Sequence, residues 1–294
     1  MPRANSTRSQ SAEEAWAKLG DDLVFHRVPV DSEDLIVAFS ARPIEPGRFH
    51  FFSLTDLFPT SSKLLVRDPS RSWYNAGLPG VGETVEEIAA WLRDQAASFG
   101  ARRVIATGPS MGGYAAILFG CMIGAERVVA ISPQTLLDPA LRWMMPPAEL
   151  TLQVPDLAPV IRDAPETTVD VVFGWGSMLD TYHAQRVATA PSVRLLSVRG
   201  GHDLARELSE RERLWSLIEE LIDGRSPSDC EVDPDFDPEL LPTLRGAILA
   251  AAGEDWSAGA AAAALLAERC PDWPTARVAH TEMLSRVAEP VSDR

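Results

Sequence analysis

The chain has 294 residues, 46% of them hydrophobic, which is enough for one large globular domain and a small one. Its 27 basic and 42 acidic residues give a formal net charge of −15. This charge argues against nucleic acids and anionic membrane surfaces as partners.

Composition also limits the expected compartment and cofactors. The three cysteines show no C-x-x-C spacing and predict neither a disulfide framework nor a zinc site. The first 20 residues are polar, and no segment approaches the roughly 20 apolar residues of a membrane span. We therefore expect a cytoplasmic protein. No P-loop occurs, and no G-x-G-x-x-G follows a strand, so no cofactor is expected.

Apolar segments bounded by turn residues predict seven strands, which alternate with helical patterns. The predicted strands are Leu23 to Val28, Asp34 to Phe39, Lys63 to Val66, Arg103 to Thr107, Arg127 to Ser132, Thr168 to Phe173 and Val193 to Val198. The predicted helices are Thr84 to Phe99, Gly113 to Cys121, Asp180 to Ala188 and Leu204 to Ile222. This alternation is typical of an α/β protein with a doubly wound, mostly parallel sheet.

Two segments between these elements are predicted to be loops. Residues 41–62 contain three prolines and four phenylalanines, and their rings either cover a pocket mouth or pack against the sheet. Residues 138–163 form a short insertion with Trp143 and Met144 near its start. These two side chains either contact an apolar acyl group of a substrate or serve packing alone.

The segment Gly108-Pro109-Ser110-Met111-Gly112 has the pattern G-x-S-x-G between a predicted strand and a small-residue helix. A sharp strand-to-helix turn leaves no room for side chains two positions from the serine, which explains the glycines. The Ser110 hydroxyl would then be exposed at the carboxyl edge of the sheet as a nucleophile. An ordinary Gly/Ser turn is the alternative.

A serine nucleophile needs a base and an acid. His202 follows the last predicted strand and two glycines, so it can reach the serine, although a helix-capping histidine is the alternative. In chains with such a serine turn the acid lies between the serine and the histidine, which favours Asp180. Asp138 is the alternative acid, and Asp180 could be only a helix N-cap. His183 is predicted to face the same rim as a substrate contact and not to be the base.

Two backbone N–H groups usually hold the oxyanion of an acyl-transfer site. Met111, directly after the nucleophile, is predicted to supply one of them. The other should come from the loop after the strand that ends at Phe39, where Phe39-Ser40 stands in place of the frequent His-Gly. Either Ser40 or Ala41 is therefore the second donor, and Phe39 is a candidate substrate contact.

Three charged residues follow the strand Lys63 to Val66 on the same predicted edge: Arg67, Asp68 and Arg71. Arg67 or Arg71 could bind an anionic group of the substrate. Surface salt bridges are the alternative.

Several of these stretches resemble the α/β-hydrolases, specifically a bacterial branch. They are GPSMGGYAA at 108–116, RDPSRSWYNAGLPGVG at 67–82, ISPQT at 131–135, LDTYHAQRV at 179–187 and GGHDL at 200–204. The resemblance covers about residues 20 to 223. It implies the α/β-hydrolase fold, from which this chain has lost the usual first of eight strands, and a serine hydrolase or acyltransferase.

The tail differs in composition from the rest. The catalytic domain is predicted to span 1–224, and residues 225–239, with three prolines and six acidic residues, to form an acidic linker. The tail, 240–294, reads as three helices: Leu240 to Ala252, Ser257 to Arg269 and Thr275 to Val287. It is weakly similar to a tetratricopeptide unit and is expected to pack on the body, on a partner protein or on a second copy.

Together these features predict a serine hydrolase that cleaves a small-molecule acyl ester or thioester through Ser110, His202 and Asp180. Two alternatives remain open: acyl transfer by the same triad, and an inactive hydrolase-like scaffold whose helical tail binds a partner.

Overall fold

The computed structural model describes residues 16–19, 23–26, 32–42, 45–141, 146–228, 230–232 and 237–288. Within these residues, nine strands form one sheet in the order β1-β2-β4-β3-β5-β6-β7-β8-β9. The strands are β1 Trp16–Leu19, β2 Leu23–His26, β3 Asp34–Phe39, β4 Ser62–Val66, β5 Arg103–Pro109, β6 Arg127–Ile131, β7 Thr168–Gly174, β8 Val193–Val198 and β9 Glu231–Val232.

The sheet is parallel in its centre and antiparallel at both ends. Six neighbouring strands of the sheet run parallel to one another: β4, β3, β5, β6, β7 and β8. At one end β1 and β2 pair antiparallel with each other and β2 with β4, and at the other end β9 pairs antiparallel with β8. The predicted α/β class and mostly parallel sheet are confirmed.

Two details of the predicted sheet were wrong. The first strand is not lost, because Trp16–Leu19 pairs antiparallel with β2. The acidic segment after Gly224 also contains a strand, β9, of two residues. Neither strand has the long apolar run of a buried parallel strand, because an edge strand needs apolar residues on one face at most.

The described helices cover both faces of the sheet and form the tail. They are α1 Leu54–Leu57, α2 Val85–Phe99, α3 Met111–Ile123, α4 Leu157–Arg162, α5 Met178–Gln185, α6 Leu204–Glu210, α7 Leu214–Ile222, α8 Leu241–Ala252, α9 Trp256–Arg269 and α10 Pro274–Ala288. None of them is long and apolar enough to cross a membrane.

The single helix predicted over Leu204 to Ile222 is in fact two. Glu212 has a φ of 57°, in the left-handed region, and the Arg213 N–H donates to Leu208 O. This break changes the direction of the chain, so α7 packs as a separate helix. The aromatic loop, defined here as residues 41–62, also contains a short helix, α1, that was not predicted.

The core lies on both faces of the sheet, and β3 shows why its sequence is apolar throughout. Leu35, Val37 and Phe39 belong to the cluster under α2 and α3. Ile36 and Ala38 belong to the opposite cluster, which includes α6 and α7. Successive side chains of a strand point to opposite faces, so a strand covered on both sides has no polar alternation.

The helical tail packs against the body of the protein. A third apolar cluster joins Leu141 and Tyr182 of the body to Leu244, Leu266 and Trp273 of the tail. Polar contacts extend the same junction: Arg245 Nη2 lies 2.6 Å from Asp138 Oδ2, and the hydroxyls of Thr181 and Thr275 are 3.1 Å apart. The tail thus covers the outer side of α5.

Candidate active site

Ser110 lies in the sharp turn between β5 and α3 with φ 49° and ψ −118°, a conformation that is costly for a residue with a side chain. Gly108 and Gly112 permit this turn. A Cβ atom on Gly112 would lie 2.1 Å from Phe39 O, and one on Gly108 would lie 2.5 Å from the Gly112 carbonyl. The close approach of β3, β5 and α3 therefore requires both glycines, and an ordinary surface turn does not.

Ser110, His202 and Asp180 form a hydrogen-bonded chain at the carboxyl ends of β5, β7 and β8. Ser110 Oγ lies 3.0 Å from His202 Nε2, and His202 Nδ1 lies 2.7 Å from Asp180 Oδ1. His202 comes from the loop after β8, and Asp180 lies in the first turn of α5. This is the arrangement in which a histidine can take a proton from a serine while a carboxylate orients the imidazole.

The loops that carry Asp180 and His202 are packed main chain to main chain. Gly176 N–H donates to Gly200 O at 2.9 Å. A Cβ atom on Gly174 would lie 2.4 Å from the same oxygen, and one on Gly176 would lie 2.7 Å from it. Glycines at these positions allow the two loops to touch, and this contact fixes Asp180 relative to His202.

The surroundings of His202 favour its charged form. Burial lowers the pKa of His202, but the hydrogen bond and the charge of Asp180, together with the charge of Asp203, outweigh burial and raise the pKa above its ordinary value. Asp180 is only 2% exposed. The Asp180 carboxylate is thus buried beside the His202 imidazole, whose charged form it stabilises.

Asp138 does not take this position. It forms an ion pair with Arg245 of α8, and its Oδ1 accepts the N–H of Ala140. The hydrogen bond from Arg245 lowers the pKa of Asp138. Asp180 is not the N-cap of α5 either, because Ser177 caps that helix by accepting the Asp180 N–H.

The Ser40 N–H donates to Val66 O at 2.8 Å and continues the ladder between β3 and β4. It is therefore occupied, and the prediction of Ser40 as an oxyanion donor was wrong. Ala41 lines the pocket in front of Ser110. Met111 is the first residue of α3, where backbone N–H groups have no partner within the helix. The candidate pair of donors is thus Met111 and Ala41.

A pocket of about 280 Å³ opens in front of Ser110. Its walls come from the aromatic loop, from the loop after β8 and from α6 and α7, and they include Ala41, His50, Phe51, His202 and Trp215. Phe51 is buried and meets Trp215 edge to face at 5.4 Å, so its ring both packs and lines the pocket. Burial lowers the pKa of His50, which favours a neutral imidazole in the wall. Trp215 was not among the predicted site residues.

No protein-family model and no curated protein sequence matches the chain. The solved structures that are similar to it include the following three. MGS-MChE2, an α/β hydrolase enzyme from a Moroccan lagoon-sediment metagenome, is 16% identical over 71% of this chain and 98% of its own, with a TM-score of 0.50. The acylaminoacyl peptidase of Pyrococcus horikoshii is 13% identical over 77% and 42%, with a TM-score of 0.51. The capsule O-acetyltransferase of Neisseria meningitidis serogroup A is 15% identical over 69% and 93%, with a TM-score of 0.50.

The chain has the α/β-hydrolase fold. In this chain Ser110 follows β5, Asp180 follows β7 and His202 follows β8, so all three lie at the carboxyl edge of the sheet. Because one fold hosts different reactions, the reaction has to be argued from the site itself.

Two of the predicted substrate contacts, Phe39 and His183, do not line the pocket in front of Ser110. Phe39 is 1% exposed, and its ring packs on Tyr74 and Phe119 at 5.5 Å each, under the face of the sheet that carries α3. His183 is buried on α5, where burial and the charges of Arg186 and His202 lower its pKa to about 3. Neither side chain lines the 280 Å³ pocket. Alternation along β3 and the helical turn of α5 turn these side chains inward.

The other predicted contacts have separate outcomes. Arg67 and Arg71 line a second pocket, of about 230 Å³, that shares Ala41 and Arg42 with the first. Trp143 and Met144 lie outside the described residues, so their predicted contact with substrate stays a prediction.

Proposed function

We propose that this chain is a serine hydrolase that cleaves an ester or thioester through an acyl-enzyme. The observation that carries the proposal is the hydrogen-bonded chain from Ser110 Oγ through His202 to Asp180, opening on a pocket. The strained turn at Ser110 supports it, because such backbone strain is concentrated at functional positions.

In the first half of the reaction, Ser110 Oγ attacks the carbonyl carbon while His202 Nε2 accepts its proton. Asp180 accepts the Nδ1–H of the same ring, which leaves Nε2 unprotonated and ready to act as the base. The negative oxygen of the tetrahedral intermediate is held by the N–H groups of Met111 and Ala41. When the intermediate collapses, His202 gives the proton to the leaving alcohol or thiol.

In the second half, His202 takes a proton from water, and the hydroxide attacks the acyl-serine. The ester bond to Ser110 breaks, the acid leaves, and the proton returns to Ser110. If an acceptor hydroxyl takes the place of water, the same steps transfer the acyl group.

The test is labelling with a fluorophosphonate probe, together with turnover of 4-nitrophenyl acetate. We expect Ser110→Ala to abolish labelling and to lower turnover by about 10³ or more, because the nucleophile is lost. Ser98→Ala is the matched control, since this serine lies on α2 and its hydroxyl donates only to Gln95 O.

Three results would contradict the proposal or redirect it. Full labelling of the Ser110→Ala protein would exclude Ser110 as the nucleophile. A wild-type chain that neither reacts with the probe nor cleaves any ester would favour the inactive scaffold. Acyl product formed on an added alcohol faster than on water would favour acyl transfer.

A further inference from the structure

A second pocket adjoins the one in front of Ser110. It lies between the loop after β3 and the loop after β4 and encloses about 230 Å³. Ala41 and Arg42 line both pockets. Because Ala41 is also the candidate oxyanion donor, a short substrate can place its carbonyl in the first pocket and another group in the second.

The second pocket is positively charged. Three arginines, Arg42, Arg67 and Arg71, line it together with one carboxylate, Asp68, and we call it the arginine pocket. This charge is opposite to that of the chain as a whole, which carries a formal net charge of −15. The local excess of guanidinium groups therefore does not follow from composition.

Asp68 reduces this positive charge without cancelling it, because the pocket has three guanidinium groups and one carboxylate. The oxygens of Asp68 accept hydrogen bonds from its own loop. Asp68 Oδ1 accepts from the N–H and the hydroxyl of Ser70 at 2.9 and 2.6 Å. Asp68 Oδ2 accepts from the N–H and the hydroxyl of Ser72 at 2.7 and 3.0 Å and from the Tyr74 N–H at 2.9 Å. This carboxylate thus stabilises the loop that carries Arg67 and Arg71.

The three arginines differ in burial and in their contacts. Arg67 is only 6% exposed. The Cζ atom of Arg42 lies 5.3 Å from the centre of the Trp73 ring, an attractive cation–π contact. Arg71 is exposed with a φ of 56°, and in the described part of the chain it makes no ion pair. Burial and the charge of Arg71 lower the pKa of Arg42, and the charge of Asp68 opposes this shift only in part.

We propose that the arginine pocket binds an anionic group of the substrate, such as a carboxylate or a phosphate, while the ester carbonyl lies at Ser110. This inference rests on the proposed hydrolase function and narrows its substrate class. An anion in this pocket can accept charge-assisted hydrogen bonds from the guanidinium groups that line it, and its negative charge offsets their mutual repulsion.

The test compares esters that differ only in a charge. One pair places it on the acyl part: 4-nitrophenyl hydrogen succinate against its methyl ester. The other pair places it on the leaving group: 4-carboxyphenyl acetate against 4-(methoxycarbonyl)phenyl acetate. Full-length wild-type protein is assayed beside Arg42→Gln and Arg71→Gln. Arg102→Gln is the control, since this exposed arginine pairs with Glu33 before β3, at the other end of the parallel strands.

In at least one of the two pairs, the wild-type kcat/KM should be about tenfold higher or more for the anionic ester than for the neutral one. A tenfold ratio corresponds to about 1.4 kcal/mol. Arg42→Gln and Arg71→Gln should each reduce this ratio several-fold, through KM, and Arg102→Gln should leave it unchanged. Added salt should reduce the preference, because part of the pocket faces solvent.

Equal kcat/KM for both members of both pairs would overturn the arginine pocket as a substrate site. A preference that survives both substitutions would overturn it as well. The neutral esters separate this failure from failure of the proposed function, since a protein that cleaves none of them has no hydrolase activity to direct.

Discussion

The carboxylate that orients His202 can be identified by paired substitutions. Asp180→Asn should lower turnover of 4-nitrophenyl acetate by about 10⁴, because the imidazole loses the partner that sets its tautomer. Asp138→Asn should leave turnover unchanged and cost at most about 1 kcal/mol of stability, since it breaks a partly exposed ion pair with Arg245. Steady-state kinetics and thermal melting of both variants give the comparison, and a crippled Asp138→Asn protein would reverse the assignment.

The pH dependence of the same reaction follows from His202. The base acts in its neutral form, so kcat/KM should rise with pH through the pKa of His202. Because Asp180 raises that pKa, the low-pH limb should lie above the ordinary histidine value of about 6.5. In Asp180→Asn, the residual activity should have its limb at lower pH. A wild-type limb well below pH 6 would contradict this account of His202.

The sequence predicted that Ser110, His202 and Asp180 would meet, because each follows a strand and parallel strands bring their carboxyl ends to one edge. Their side chains do lie within hydrogen-bond distance, and their catalytic roles stay a prediction. The predictions for Phe39 and Ser40 were wrong. Whether the Ser40 N–H is available depends on the β3–β4 ladder continuing by one hydrogen bond, to Val66 O, and that register is not visible in either strand alone.

At the scale of elements, the loop after β4 supports the strand ends around it. Three of its residues, Arg71, Trp73 and Tyr74, have positive φ, and the oxygens of Asp68 hold this conformation. The Tyr74 hydroxyl lies 3.0 Å from Ser40 O and 3.2 Å from Val66 O. A trans peptide directs its C=O and N–H in opposite directions, so the contact with Ser40 O orients the Ala41 N–H.

Tyr74→Phe should therefore lower kcat about tenfold with little change in KM. Removing one oxyanion donor outright costs about 10² to 10³, and here the donor is only less well oriented. Tyr114→Phe is the matched control: Tyr114 is equally buried, and its hydroxyl donates to Val154 O. Both variants should lose about 1 to 3 kcal/mol of stability. Equal kcat in the two variants would show that Tyr74 serves folding alone.

The break between α6 and α7 shows what apolar spacing cannot reveal. Leu208, Leu214 and Leu217 are all buried, and the spacing is apolar enough on both sides of Glu212 to read as one helix. The left-handed turn at Glu212 carries no glycine to mark it. A single continuous helix would not indicate that Trp215 lines the pocket. The part of the pocket wall that α7 contributes was therefore not predicted.

At the scale of the whole molecule, the tail and the body share a core through α5. Leu244→Ala should lower the free energy of unfolding by about 2 to 5 kcal/mol, because Leu244 is fully buried in that junction. Leu265→Ala is the matched control on the tail, since Leu265 is 43% exposed. Denaturant unfolding followed by circular dichroism measures both, and equal stabilities would show that the junction is absent in solution.

The same variants test whether residues 225–239 separate two domains, as the sequence predicts. Every residue that lines the pocket in front of Ser110 lies before Gly224, so turnover of a small ester by the folded Leu244→Ala protein should stay within about tenfold of wild type. Two separate unfolding transitions would indicate that the tail is a domain of its own, and a single transition would indicate one cooperative unit.

The contact between Gly176 and Gly200 has a consequence for how such a chain can diversify. The loops that carry Asp180 and His202 are joined by main-chain atoms, whereas much of the pocket wall comes from side chains of the aromatic loop, α6 and α7. Substitutions in those walls can therefore change the shape of the pocket without moving Asp180 relative to His202. The geometry of this pair and the fit of a ligand can thus change independently.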